Sequence, residues 1–105
     1  MKNEIKKKWV RKLRAWRHRK CNGLLAFGEQ RCALGILCEV IDPQQRLSKW
    51  KRRSMIPVRI LRATGLDKTD ADQVAKLNDG YASNVSIVRA CNFSEIADWI
   101  EENIK

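Results

Sequence analysis

The chain has 105 residues, 44% of them hydrophobic, which is enough for one hydrophobic core and too few for two. Its 22 lysines and arginines against 12 aspartates and glutamates give a formal charge of +10, and no apolar run approaches the roughly 20 residues that span a membrane. We therefore expect a single domain without a membrane segment, and the excess of positive charge favours a polyanionic partner.

The positive charge is unevenly distributed along the chain. Residues 1–63 carry 18 basic and 4 acidic side chains, a balance of +14, whereas residues 64–105 carry 4 basic and 8 acidic ones, a balance of −4. Two interpretations stay open. The first half binds an external polyanion, or it partly neutralises the protein's own acidic tail.

The start of the chain and the cysteines bear on the cellular compartment. The first residues are basic but lack the apolar segment of a signal peptide, so we expect a soluble protein of the cytoplasm. Because that compartment is reducing, the four cysteines are expected to be free thiols and not two disulfides. They are Cys21, Cys32, Cys38 and Cys91.

An amphipathic helix is predicted over residues 2–19. Its apolar residues recur every three or four positions and share one face. They are Ile5, Trp9, Leu13 and Trp16, with Val10 at the edge of the stripe. We expect the tryptophans to be buried and the lysines and arginines to point outward, and Gly23 to mark the end of the helix in a left-handed conformation.

The densest apolar stretch, residues 24–41, is predicted to be the centre of the core. Polar residues 28–30 interrupt its first part, which favours a β-hairpin. From Leu34 the apolar spacing becomes helical, and the helix is predicted to end at Asp42, because a residue that precedes proline avoids the α conformation. The predicted face of this helix consists of Leu34, Leu37, Cys38 and Ile41.

Three more helices are predicted in the second half. The first begins at Pro57 and is closed by Gly65. The second begins near Thr69 with Asp70 as its N-cap and ends at residues 78–80. The third covers residues 92–104 and is the clearest, with a capping box of Asn92 and Glu95.

The remaining segments complete the predicted fold. Residues 85–88 are interpreted as a short strand added to the hairpin, and no regular structure is assigned to residues 44–56. The prediction is a single α+β domain of residues 1–105, with a basic N-terminal helix, a β-hairpin with or without a third strand, and several short helices.

Three segments resemble a family of small uncharacterised proteins from tailed bacteriophages. They read CALGILCE over residues 32–39, LNDG over residues 77–80 and FSEIADWIEE over residues 93–102, and a tryptophan-bearing helix precedes the first. The resemblance implies an origin in a phage or prophage and a place in the cytoplasm of a bacterial host. It carries over no catalytic or binding residue.

Basic residues of the first helix and of the following connector predict a nucleic-acid-binding surface, because phosphates are bound by several cations along one surface. Such binding is salt-sensitive and largely independent of base sequence. We expect a non-catalytic protein that binds DNA, RNA or a nucleoprotein. The predicted contact residues are Lys6, Lys7, Lys8, Arg11, Lys12, Arg14, Arg17, Lys51, Arg52 and Arg53.

A second hypothesis assigns the protein to a different class. The same surface, or Trp50 as an exposed aromatic anchor, binds a bacterial host protein such as a component of a defence complex and inhibits or modulates it. A salt titration separates the two hypotheses, since nucleic-acid binding weakens steeply with added salt.

Metal and enzyme chemistry have little support in the sequence. His18 with three of the cysteines offers the number of ligands that structural zinc requires, but no Cys-x-x-Cys pair is present. His18 and Cys21 lack a recognisable orienting carboxylate, and the glycines form no phosphate-binding loop. We expect no metal, no cofactor and no enzymatic activity.

Residues 70–80 and 93–102 have the outline of a helix-turn-helix unit, but the charge of the second helix argues against DNA binding. Its acidic side chains would approach phosphates. They are Glu95, Asp98, Glu101 and Glu102. We expect this helix to pack on the core, or to offer an acidic face to a basic partner or to the protein's own first helix.

Overall fold

The computed structural model describes residues 1–17, 19–27, 30–43, 55–82 and 87–105. In these ranges the chain forms five helices and two pairs of short antiparallel strands, which confirms the predicted α+β class. None of the helices there has the length and apolar character needed to cross a membrane. The elements in chain order are α1 (Asn3–Ala15), β1 (Ala26–Phe27), β2 (Gln30–Arg31), α2 (Ala33–Ile41), α3 (Val58–Thr64), α4 (Lys68–Asp79), β3 (Tyr81–Ala82), β4 (Ile87–Val88) and α5 (Phe93–Asn103).

Helix α1 packs inward by the face that its apolar spacing predicts. Trp9 and Leu13 are buried, and Ile5 is half-buried. The indole Nε1 of Trp9 donates a hydrogen bond to the carbonyl of Ala33 at 2.9 Å, so the buried ring keeps a partner for its polar atom. The prediction of an inward-facing tryptophan is confirmed, and this contact joins α1 to the start of α2.

The predicted C-terminal end of α1 was wrong. The helix ends at Ala15 and not near residue 19. The next residue, Trp16, has an extended backbone (φ −67°, ψ 123°). That turn in the chain places the indole of Trp16 against Arg31 of the first hairpin. Gly23 does adopt a positive φ of 76°, as predicted, but it lies in the segment that leads into β1 and does not close α1.

The apolar stretch forms the predicted hairpin and helix. Strands β1 and β2 pair with Ala26 opposite Arg31, and α2 ends at the predicted position, with Asp42 as its C-cap. Helix α2 is buried on all sides over residues 33–38 and not on one face, because it packs against α1, α4, α3 and β2. At Gly35 an added Cβ would lie 1.9 Å from the carbonyl oxygen of Leu25, so only glycine allows the helix to approach the hairpin this closely.

Helices α3 and α4 begin and end with the expected residue types, with one correction. Gly65 closes α3 in the left-handed conformation (φ 72°), and its amide donates to the carbonyl of Leu61 at 2.9 Å. The N-cap of α4 is Asp67 and not the predicted Asp70, because the Asp67 carboxylate accepts from the Asp70 amide at 2.8 Å. The helix therefore begins one residue before Thr69, and its C-cap is Gly80.

The last part of the chain contains a second strand pair and α5. Ile87–Val88 is a strand, as expected, but it pairs with Tyr81–Ala82 and not with the first hairpin, so the predicted third strand belongs to a separate pair. Helix α5 has the predicted capping box, in which the Asn92 side chain accepts from the Glu95 amide and the Glu95 carboxylate accepts from the Asn92 amide. Its buried residues face α1 and α4.

Candidate functional site

The outward side of α1 carries exposed cations. Lys7, Lys8 and Arg11 lie on the helix, and Arg17 lies two residues beyond its end. Among the residues that the structure describes, no carboxylate lies within 4.0 Å of the charged groups of these four side chains. Since α1 is held by its tryptophan face, these charges point away from the core and are accessible to a ligand.

Three other predicted contact residues are engaged within the protein. The Lys6 amine donates to the carbonyl of Ile104, and the Lys12 amine lies 3.6 Å from a carboxylate oxygen of Glu39. Arg14 reaches α5, where its Nη2 lies 2.8 Å from Asp98 Oδ1 and 3.1 Å from Glu101 Oε1. Hydrogen bonds to Asp98 and then Glu101 raise the pKa of Arg14 above its ordinary value. The expectation that α5 offers its acidic face to the first helix is confirmed at this contact.

Between α1 and α5 lies an open cavity of about 490 Å³, which we call the α1 groove. Four of its lining side chains are cationic and one is a carboxylate. The lining residues are Asn3, Lys6, Lys7, Val10, Arg11, Arg14 and Glu101. Lys7, Arg11 and Arg14 follow one another at helical spacing along its length, so the groove offers a row of cations to an anionic ligand.

A second group of side chains lies on the other flank of α1. It consists of the charged residues Lys12, Arg31 and Glu39 and the ring of Trp16, and we call it the hairpin cluster. Arg31 Nε lies 2.8 Å from Glu39 Oε1, and the guanidinium carbon is 5.8 Å from the centroid of the Trp16 ring. The Arg31 side chain is only 7% exposed. This cluster was not among the predicted sites, although an isolated arginine in an apolar stretch, with Glu39 eight residues later, is a usable signal for a buried ion pair.

A buried asparagine joins three segments of the chain, a role that was not predicted from the sequence. Asn78, at the end of α4, accepts from the amide of Ala33 at 3.0 Å and donates to the carbonyl of Cys21 at 2.9 Å. Its own carbonyl accepts from the Lys20 amine, and the neighbouring Asp79 accepts from the amide of Gly23 at 3.1 Å. The LNDG sequence therefore fastens α4 to the segment before β1 and to the start of α2.

Four predicted contact residues in the connector lie outside the described residues, as does His18 of the zinc and enzyme alternatives. They are Trp50, Lys51, Arg52 and Arg53. Of the predicted cationic surface, the structure thus describes the seven residues that α1 and its immediate continuation supply. It brings four of them together along the α1 groove, namely Lys6, Lys7, Arg11 and Arg14.

The cysteines form no disulfide. Cys32 is the N-cap of α2, where its Sγ accepts from the amide of Gly35 at 3.3 Å. Burial raises the pKa of Cys32 and of Cys38 to about 12, and it also raises the pKa of Cys21. A thiol with such a pKa stays protonated near neutral pH and is a poor nucleophile or metal ligand. Within the described ranges, no three His, Cys, Asp or Glu residues are grouped to hold a metal ion.

The chain belongs to a family defined as a domain of unknown function, DUF8296, whose profile matches residues 1–62. The matched region contains α1, the first strand pair, α2 and the start of α3, and therefore all the cations of the α1 groove. No curated protein and no solved structure matches the chain.

Proposed function

We propose that this protein acts without catalysis, by binding nucleic acid or a nucleoprotein through the outward side of α1. The observation that carries the proposal is the set of four exposed cations with no carboxylate within ion-pair distance in the described part of the chain: Lys7, Lys8, Arg11 and Arg17. Lysines and arginines of this kind bind phosphates and release condensed counterions, which is the main source of affinity in sequence-independent binding.

The packing of the aromatic residues supports a particular mode of binding. Trp9 is fully buried with its Nε1 bonded, and Trp16 is half-buried with the Arg31 guanidinium 5.8 Å from its ring centroid, so neither ring stands free on the surface as a platform for stacking bases. Contacts to phosphate without stacking give low sequence specificity. The proposed ligand is therefore recognised by its backbone charge.

We further propose a phage or prophage origin and action in the cytoplasm of a bacterial host. The support is the resemblance of residues 32–39, 77–80 and 93–102 to small proteins of tailed bacteriophages. The family profile that matches residues 1–62 assigns neither a source nor an activity.

A second candidate function is the binding of a bacterial host protein. Met55 and Val58 are large apolar side chains that are 63% and 61% exposed, and they border a cavity of about 140 Å³ that Ile56 and Leu61 also line. Exposed apolar side chains around a cavity are typical of contacts with another protein. A host factor bound here would be retained at high salt, unlike a nucleic acid.

The direct test compares two triple variants that remove equal charge. Lys7→Ala/Lys8→Ala/Arg11→Ala removes three cations from α1, and Arg62→Ala/Lys68→Ala/Arg89→Ala removes three exposed cations from other segments. Fluorescence anisotropy is measured with labelled 20-nucleotide DNA and RNA of unrelated sequences over a salt series. The α1 variant should bind at least tenfold more weakly than the control, and its log–log salt slope should fall by roughly 2 to 3.

Equal loss in both triple variants would show that only total charge matters and would contradict the proposal. Affinity purification from bacterial cells, with and without nuclease, separates the two candidate functions. A partner released by nuclease supports nucleic-acid binding. A protein that survives nuclease and high salt, and that is lost on Met55→Ser/Val58→Ser, supports the second candidate.

A further inference from the structure

We infer that Arg14 is an exchangeable ligand of the α1 groove, held by Asp98 and Glu101 until a phosphate group of the bound polyanion takes their place. This inference rests on the proposed function, since it describes how the same surface is regulated. It assigns to the acidic face of α5 the role of an internal competitor for the nucleic acid.

The first support is the position of Arg14. It lines the groove together with Lys7 and Arg11, and its guanidinium donates to two carboxylates on the neighbouring helix. A guanidinium that binds two carboxylates has the fork of donors that also binds a phosphate. The contact therefore presents Arg14 at the edge of the groove already oriented toward an anion.

The second support is exposure. The side chains of Arg14, Asp98 and Glu101 are 37%, 63% and 54% exposed. Ion pairs at such positions are weakened by water and by salt, and they contribute little to folding. Exchange of one anion for another is then possible without disturbing the core, because α5 is held by its own buried face.

The third support is the surrounding charge. Lys6, Lys7, Arg11 and Arg14 line the groove against a single lining carboxylate, that of Glu101. A phosphate entering the groove would meet Lys7 and Arg11 as well as Arg14, whereas the α5 carboxylates reach only Arg14 among the described cations of α1. The groove as a whole therefore favours the phosphate, and the carboxylates reduce the affinity without abolishing it.

The test neutralises the two carboxylates and compares the effect with an equal change of charge elsewhere. Asp98→Asn/Glu101→Gln should bind a labelled 20-nucleotide oligothymidylate roughly threefold to tenfold more tightly than the control Asp72→Asn/Glu102→Gln, because Arg14 is released. Adding Arg14→Ala to both variants should remove this difference. If the difference persists without Arg14, the carboxylates act by general repulsion and the inference is wrong.

Failure of this inference differs from failure of the proposed function. If the α1 triple variant loses binding while Asp98→Asn/Glu101→Gln behaves like its control, α1 binds nucleic acid and only the exchange at Arg14 is overturned. If the α1 triple variant and its own control bind equally, the proposed function itself is wrong.

Discussion

The hairpin cluster and the α1 groove each contain an arginine bound to a carboxylate at 2.8 Å, yet their surroundings differ. Arg31 and Glu39 are 7% and 18% exposed, whereas Arg14 and Asp98 are 37% and 63% exposed. Breaking a buried pair leaves a charge without water, while breaking an exposed one lets water return. Burial, and not the bond length, therefore separates an ion pair that holds the fold from one that is available to a ligand.

The largest expected effect comes from removing the carboxylate of the hairpin cluster. Glu39→Ala should lower the free energy of unfolding by about 3 kcal/mol, because the buried Arg31 guanidinium loses the carboxylate that balances its charge and keeps neutral contacts such as the Gln30 carbonyl. Urea denaturation followed by tryptophan fluorescence measures the change. The matched control is Glu101→Ala on the groove side, and equal stability of the two variants would remove the distinction between the regions.

A smaller effect is expected when both partners of the buried pair are replaced together. Arg31→Met with Glu39→Leu should be less destabilising than the sum of the single replacements by about 1 to 3 kcal/mol, since neither charge is left alone. The same denaturation measurements on the single and double variants give this coupling energy. If the losses of unfolding free energy in the two single variants add up to the loss in the double variant, packing and not the ion pair stabilises this region.

High pH should lower the free energy of unfolding through the buried thiol of Cys38 in α2. The pKa of Cys38 is about 12 in the folded protein against an ordinary value of 9.0, so above about pH 9 the unfolded chain loses the proton and the folded chain keeps it. Stability therefore falls as pH rises, by about 1 kcal/mol for this thiol at pH 10.

The check is the difference in unfolding free energy between pH 8 and pH 10, measured for the protein and for Cys38→Ala. All other side chains are the same in the two chains, so the variant isolates the contribution of the Cys38 thiol. An identical pH dependence in the two chains would show that the Cys38 thiol is not desolvated.

The smallest expected effect on stability is that of removing the carboxylates that bind Arg14 beside the α1 groove. Asp98→Asn/Glu101→Gln should leave the urea midpoint unchanged within error even at low salt, because the pairs that it removes are exposed. Denaturation of the variant and of the unmodified protein at two salt concentrations tests this. A marked loss of stability would make Arg14 a structural residue, like Arg31.

Local patterns predicted those parts of the fold that depend on local energies. The apolar stripe of α1, the capping box of α5 and the glycine closure of α3 each arise within a few residues, and each was found where the sequence placed it. The free thiols also agree with expectation. The early end of α1 was missed because no proline or glycine directly follows Ala15 to mark it, and Trp16, which leaves the helix there, contacts Arg31 fifteen residues farther along the chain.

The candidate site was predictable in composition but not in the state of each charge. The sequence places Lys6, Lys7 and Arg14 alike on a basic helix. Only the packing of α5 against α1 separates the engaged Lys6 and Arg14 from Lys7, and that packing joins residues more than 80 positions apart. The role of Asn78 was hidden for the same reason, since its partners lie 45 and 57 residues away.

The close approach of α2 to the backbone of Leu25 has a consequence for comparing distant sequences. Every side chain larger than a hydrogen atom at position 35 would collide with a carbonyl that the backbone fixes in place. Chains that share this arrangement should therefore keep a glycine three residues after the residue that caps α2, even where charge and aromatic content have diverged. That glycine provides a fixed register mark for recognising remote members of the family.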